Sequence, residues 1–221
     1  MVSEPLAFIE LPSGDYRAQA EGSENGPRVG YAMRIPPAEY LSLPLRAHEL
    51  LREVPLYDVS AVDLPGGGPG RTIADVRALE SRAAPSRLAS VLFGVRFFLG
   101  RVFGWDRKPT QPEQTLVMRL SEKDRRDSQV APGTHVGPFL LVYQFADEAL
   151  AEIRNATVHG WLCTALVSTA TGYRFYWGVY VQPVSWLTRP YLLAIEPFRW
   201  ILYPAMLARI RRAWIAAYSA D

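Results

Sequence analysis

Residues 148–214 read EALAEIRNATVHGWLCTALVSTATGYRFYWGVYVQPVSWLTRPYLLAIEPFRWILYPAMLARIRRAW. Two apolar, aromatic-rich segments at 156–169 and 173–184 alternate as strands do, because successive side chains of a strand point to opposite faces. A long segment with helical spacing follows them. This order predicts an α+β fold, in which a curved antiparallel sheet wraps around a long C-terminal helix and leaves space for a cavity.

The two predicted strands each have one mixed face. Thr157, His159 and Trp161 share one side of the first strand, whose other side is small and aliphatic. Tyr176 and Tyr180 share one side of the second strand. We expect these mixed faces to line the cavity together with the apolar stripe of the C-terminal helix.

The C-terminal helix is predicted to begin at Pro197, because proline suits the first position of a helix. Arg199 then lies at its start, where it either clamps a ligand carboxylate or enolate at the cavity mouth or forms a salt bridge to a nearby acid such as Glu196 or Glu152. The predicted apolar stripe consists of Phe198, Leu202, Ala205, Ile210, Ala213 and Trp214.

The rest of the chain predicts shorter elements. Strands are predicted at 29–35, 57–64, 115–120 and 139–145, with a short strand or a turn of helix at 147–154. Helices are predicted at 45–53, behind a Thr72 N-cap, and from Ser86 to Gly104. Residues 65–70 (PGGGPG) and 121–133 are predicted loops. Residues 1–33 predict a poorly ordered extension, and 34–221 a single domain.

Composition narrows the class of protein. The chain has 221 residues and a formal charge of +2, too small to indicate nucleic acid or an acidic membrane as partner. No apolar stretch approaches the ~20 residues of a membrane span, and the N-terminus lacks signal-peptide features. With Cys163 as the single cysteine, these features predict a cytoplasmic protein. Its expected partner is a small hydrophobic molecule, and a homodimer is left open.

His159 is the strongest catalytic candidate, because an imidazole exchanges protons near neutral pH. The alternative is a core histidine bonded to a backbone carbonyl. Tyr180 and Arg199 complete the candidate catalytic set. A dyad of His159 with Cys163 is disfavoured, because four strand residues span ~13 Å. The candidate ligand-binding residues are Arg96, Thr157, Trp161, Tyr176, Phe198, Leu202 and Tyr203. Three scattered histidines and no dinucleotide fingerprint predict neither metal nor cofactor.

Five blocks carry a resemblance to a known family: PLRAHEL (44–50), LYDVSAVDLPGG (56–67), SVLFGVRFFLGRVFGWD (90–106), EIRNATVHG (152–160) and YLLAIEPFRWILYPAML (191–207). They resemble an uncharacterised bacterial domain-of-unknown-function family. Its members occur alone or fused to short-chain-dehydrogenase-like domains. That family is grouped with the SRPBCC/START-like helix-grip superfamily, which also contains lipid-transfer domains and polyketide aromatase/cyclases.

The resemblance implies a seven-stranded antiparallel sheet around a C-terminal helix, with a cavity between them. It implies no established activity. The family's polar positions correspond here to Arg46, His48, Arg96, Asn155, Thr157, His159, Arg199 and Tyr203. Three functions follow as hypotheses: cofactor-independent cyclisation, isomerisation or dehydration; non-catalytic binding or carriage of a lipid-like ligand; and a partner module for a dehydrogenase-like domain.

Overall fold

A computed structural model describes residues 33–82, 115–155, 158–184 and 188–218 of the chain. The strands are β1 (Met33–Arg34), β2 (Leu56–Pro65), β3 (His135–Val136), β4 (Phe139–Gln144), β5 (Glu148–Arg154), β6 (Val158–Thr169) and β7 (Gly172–Pro183). The helices are α1 (Pro37–Leu41), α2 (Arg46–Leu50), α3 (Ile73–Arg82), α4 (Glu122–Asp127) and α5 (Thr188–Tyr218), with a 3-10 helix at Leu116–Arg119.

The strands form one antiparallel sheet in the order β1-β2-β7-β6-β5-β4-β3. The long hairpin of β6 and β7 lies at its centre. Register shifts interrupt β2 between Leu56 and Asp58 and β4 between Leu141 and Tyr143. Such bulges increase the local twist of a strand, which suits a curled sheet. The predicted α+β fold with a curved antiparallel sheet and a C-terminal helix is confirmed.

The two faces of the sheet are covered by different helices. Trp161 pairs with Tyr180 and Leu162 with Val179, so each pair shares a face. We call the face that carries Leu162 and Val179 the helix face. It packs on α3 and α5 through a core that includes Val62, Leu64, Leu166, Phe175, Leu207, Ile210 and Trp214. The N-terminal face packs on α1, α2 and the 3-10 helix through a core that includes Tyr40, Leu50, Leu116, Trp161, Cys163, Tyr176 and Tyr180.

Helix α5 begins at Thr188, so the predicted start at Pro197 is wrong. Pro197 and Pro204 both lie inside the helix, where each removes a backbone hydrogen bond at a cost of ~3 kcal/mol. Burial of apolar side chains against the sheet offsets that cost. The predicted apolar stripe is also only partly correct, because Ala205 is exposed. The fully buried residues in the second half of α5 are Leu207, Ile210 and Trp214.

Two predictions between 115 and 133 are wrong. The predicted strand is the 3-10 helix, whose Leu116 N–H donates to Glu152 Oε2 at 3.0 Å. The predicted loop contains α4, which a capping box begins: Asp124 N–H donates to Ser121 Oγ and Ser121 N–H to Asp124 Oδ2, both at 3.1 Å. Both short elements depend on hydrogen bonds to side chains rather than on apolar periodicity.

The remaining predicted elements agree with the structure in type. The predictions for β2, β4 and β7 are confirmed with ends shifted by one or two residues, and α3 behind Thr72 is also confirmed. Strand β6 is confirmed over its described residues, and of the two alternatives at 147–154 the structure has the strand, β5. Helix α2 is shorter than predicted, and the predicted first strand is described only at Met33–Arg34. The predicted helix at 86–104 and almost all of the predicted extension at 1–33 lie outside the described residues. The domain division therefore stays a prediction.

Candidate functional site

A cavity of about 490 Å³ lies between the helix face and the first half of α5. We call it the helix-side cavity. Its volume lies in the ~300–1,000 Å³ range of small-molecule sites. Four of its residues on α5, Tyr191, Ile195, Arg199 and Tyr203, recur every four positions and therefore share one side of the helix. The sheet contributes mainly apolar walls, which include Ile153, Val158, Leu162, Trp177, Val179 and Val181.

Two arginines line this cavity, Arg154 and Arg199, and Arg199 is only 6% exposed. Its Nη2 donates to Oδ2 of Asp58, whose Oδ1 accepts from Arg34 Nε at 2.7 Å. Two guanidinium groups therefore share one carboxylate, which leaves a net positive charge. The predicted alternative of a salt bridge to a nearby acid is therefore correct, but the acid is neither Glu196 nor Glu152. The partner is Asp58, because the register of β2 brings that residue under α5.

The remaining donors of Arg199 are not satisfied by the described part of the chain. Its Nε and Nη1 are buried without a hydrogen-bond partner there, and the same holds for Nε1 of Trp177. The guanidinium carbon lies 4.2 Å from the ring centre of Tyr57 and 5.5 Å from that of Tyr203. These aromatic faces favour the cation and hold it in place. A buried donor without an acceptor costs ~1–3 kcal/mol, so an acceptor from a ligand would be bound favourably here.

The two tyrosines beside Arg199 are neutral donors. Burial raises the pKa of Tyr57 and of Tyr203 above the ordinary value of 10.0, and the nearby Arg199 opposes that rise. Both phenols are therefore protonated at neutral pH, and each hydroxyl can donate a hydrogen bond. The site combines the buried guanidinium of Arg199, two phenols and mainly apolar walls. Such a site suits a flat or aliphatic molecule with one acidic group.

The structure brings together only some of the predicted site residues. Arg199 and Tyr203 line the helix-side cavity. Leu202 lies on α5, partly exposed, and is not among the residues that line the cavity. Arg96 and Thr157 lie outside the described residues, as does the side chain of Phe198.

Trp161 also lines the helix-side cavity. His159, Tyr176 and Tyr180 belong instead to the N-terminal face, so the predicted shared lining with the C-terminal helix is wrong for these three residues. Tyr180 lies in the core, where its hydroxyl is 2.9 Å from His48 Nδ1. Tyr176 donates to Glu39 Oε1 at 3.2 Å. Alternation separates the two faces of a strand, but it does not say which helix covers each face. Catalytic roles for these residues stay a prediction.

His159 lies at a second cavity, of about 900 Å³, on the N-terminal face. We call it the N-terminal cavity. The imidazole is 8% exposed, and its Nε2 is 2.5 Å from Glu152 Oε1. The alternative of a bond to a backbone carbonyl is therefore wrong, because the partner is a carboxylate. Trp161 contacts the imidazole with 3.9 Å between ring centres.

Sequence reasoning missed Asp58 and Tyr57 and assigned Glu152 the wrong partner. One signal was available in YDVSAVDL (57–64), since an acidic residue within an alternating apolar strand needs a partner. A second signal was the occurrence of Glu152 and His159 in the same segment, EIRNATVHG, which folds so that the two residues lie on adjacent strands. Neither signal identifies the partner, which depends on strand register.

Within the described ranges, no group of three or more histidine, cysteine, aspartate or glutamate side chains is placed to hold a metal ion. No helix in the same ranges is long and apolar enough to span a membrane.

Fold and cavity together define a class: an α+β domain with a candidate small-molecule cavity between a curled antiparallel sheet and its C-terminal helix. The chain belongs to the DUF2867 family, described as proteins of unknown function, whose family model matches residues 50–206. The expected membership of an uncharacterised family is thereby confirmed. No curated protein matches the chain.

Proposed function

We propose that this protein binds a small hydrophobic or aromatic molecule with an acidic group in the helix-side cavity. The observation that carries the proposal is the buried Arg199, which has two nitrogens without a partner in the described residues at the wall of an apolar cavity. A carboxylate or enolate fits such a fork, because a guanidinium can donate two parallel hydrogen bonds to it. The apolar body of the ligand would contact Val179 and Ile195.

Binding is favoured over catalysis by the residues around Arg199. Asp58 would be the natural base, but both of its oxygens accept from arginines. His159 is on the opposite face of the sheet, as the pairing of its neighbour Trp161 with Tyr180 requires. The part of the cavity wall that is described therefore contains two arginines and further hydrogen-bond donors but no free base.

A cofactor-independent cyclisation, isomerisation or dehydration is the second candidate. It is favoured by the two neutral phenols beside a fixed cation, which together would stabilise negative charge on a carbonyl oxygen. Tyr203 would then act as the proton donor. This candidate requires turnover, whereas carriage requires binding alone.

The proposal includes a helix-grip, START-like architecture for the domain. It is supported by a long C-terminal helix packed on a curled antiparallel sheet with a cavity between them. The cytoplasmic location, the homodimer and the fusion to dehydrogenase-like domains stay predictions from the sequence.

The experiment compares two fluorescent probes of similar shape, anionic anilinonaphthalene sulfonate and neutral phenylnaphthylamine. The Arg199→Lys variant keeps the positive charge that pairs with Asp58, but lysine cannot donate two parallel hydrogen bonds as a guanidinium does. We expect this variant to bind the sulfonate ~10-fold or more weakly, because hydrogen bonds to charged groups contribute ~1.5–3 kcal/mol. Its affinity for the neutral probe should change little. Fluorescence titration measures both.

Two further variants make the result specific. Arg212→Ala removes an exposed arginine of the same helix and should leave both affinities unchanged. Gly160→Leu extends a side chain into the cavity and should weaken both probes. Equal weakening of both probes by Arg199→Lys would count against the anion anchor. No effect of either Arg199→Lys or Gly160→Leu would reject the helix-side cavity as the binding site.

A further inference from the structure

Glu152 and His159 form a buried pair that the helix-side cavity does not use. Both oxygens of Glu152 are engaged: Oε1 lies 2.5 Å from His159 Nε2, and Oε2 accepts from Leu116 N–H at 3.0 Å. An ionised carboxylate only accepts hydrogen bonds, so it requires the proton of a neutral His159 to be on Nε2. The backbone donor fixes the carboxylate, and the carboxylate fixes the imidazole.

The other ring nitrogen of His159 is then a lone-pair acceptor. Nδ1 has no hydrogen-bond partner in the described ranges, and His159 lines the N-terminal cavity. Trp161 lies against the ring and restricts its rotation. This is the arrangement in which a carboxylate orients a histidine so that its second nitrogen can accept a proton. His48 provides a contrast, because both of its nitrogens have partners.

The wall of the N-terminal cavity has an excess of positive charge. Besides His159 it contains four arginines and only two glutamates, and the residues are Arg46, Arg52, Arg119, Arg154, Glu49 and Glu53. Arg46 is paired with Asp124 and Glu49. Arg154 is the direct cross-strand neighbour of His159, and its buried Nε has no hydrogen-bond partner in the described residues.

We propose that the N-terminal cavity is a second ligand site, for a small oxyanion that also carries an O–H group. Arg154 binds the negative oxygens, and His159 Nδ1 accepts the hydrogen bond of the O–H. Phosphate monoesters in the hydrogen-phosphate form and hydroxy acids share this chemistry. Arg154 and Trp161 line both cavities. His159 lines only the N-terminal cavity, and its partner Glu152 is bonded to the 3-10 helix, so the O–H acceptor of the proposed site is separate from the helix-side cavity.

Phosphate and sulfate test the proposal, because both are tetrahedral oxyanions but only hydrogen phosphate carries an O–H at neutral pH. We expect the full chain to bind phosphate ~10-fold or more tightly than sulfate at constant ionic strength, since a site built for an O–H rejects an analogue without it. His159→Gln should abolish the preference, and Arg154→Met should weaken both anions. Calorimetric titration measures each affinity.

A measurement on the unmodified protein removes the dependence on how the variants fold. In ¹⁵N NMR of the histidine rings, His159 should show a protonated Nε2 and an unprotonated Nδ1, and added phosphate should shift the Nδ1 resonance. Sulfate should not shift it. A protonated Nδ1, equal affinity for the two anions, or no binding of either anion would overturn the proposal. Each of these results leaves the probe titrations at Arg199 unaffected, so the two proposals fail separately.

Discussion

At the scale of single residues, two glycines of the central hairpin differ in the space around them. A Cβ on Gly178 would lie 2.5 Å from the hydroxyl oxygen of Tyr40, a side chain that is fully buried. A Cβ on Gly160 would meet Ile153 at 3.5 Å, an ordinary contact at the edge of the helix-side cavity. Gly178 is therefore required by close packing on the N-terminal face, whereas Gly160 borders open space.

This difference predicts opposite effects of the same substitution. Gly178→Ala should lower the free energy of unfolding by ~1–3 kcal/mol, the usual cost of overpacking a core. Gly160→Ala should leave it unchanged or raise it by ~0.4–1 kcal/mol, because alanine reduces the entropy of the unfolded chain. Urea unfolding of the two variants measures both changes. Equal effects would contradict the packing of Tyr40 against β7.

At the scale of elements, α2 is held by a distant carboxylate. Glu148 Oε2 accepts from Arg46 N–H at 2.8 Å and Oε1 from Ala47 N–H at 2.9 Å, and the hydroxyl of Tyr143 also donates to Oε1. A helix of five residues makes few hydrogen bonds of its own, so this cap from β5 stabilises it. Glu148 is only 4% exposed, so its carboxylate is poorly hydrated.

The cap predicts a pH dependence of stability. Burial raises the pKa of Glu148 above its ordinary 4.5, and its hydrogen bonds only partly oppose that rise. The folded state then holds the proton more tightly than the unfolded state. This contribution to stability is complete below pH ~4.5 and is lost as pH rises through the raised pKa.

Urea unfolding of the wild type and of Glu148→Gln, measured from about pH 4 to about pH 8, tests this dependence. The free energy of unfolding of the wild type minus that of the variant should fall as pH rises. A difference that is constant or increases with pH would contradict the assignment.

Sequence patterns predict the long strands better than the short elements. Strands β6 and β7 are recognisable because each is buried on both faces along most of its length, which gives long, mainly apolar segments. The 3-10 helix and α2 are instead held by Glu152 and Glu148, which lie 36 and about 100 residues away in the chain. No local pattern encodes a hydrogen bond over such a separation. The start of α5 was predicted wrongly because proline is common at the first position of a helix, whereas Pro197 lies inside α5.

At the scale of the whole molecule, one sheet separates two cavities of different chemistry. The helix-side cavity is mainly apolar with one buried cation, and the N-terminal cavity has several arginines around a histidine. The sequence identified His159, Arg199 and Tyr203 as candidates but placed them in one site. It could not separate them, because the side on which each helix packs depends on the path of the chain. Asp58, the partner of Arg199, depends on strand register for the same reason.

The central claim is that an acidic, apolar ligand lies between the sheet and α5 with its acid on Arg199. A crystal structure of the protein with anilinonaphthalene sulfonate tests it most directly. We expect the sulfonate within hydrogen-bond distance of Arg199 Nε and Nη1, at ~2.7–3.2 Å, and the rings against Val179 and Trp177. A helix-side cavity filled by the protein's own side chains, or a probe bound elsewhere with Arg199 unoccupied, would contradict the account.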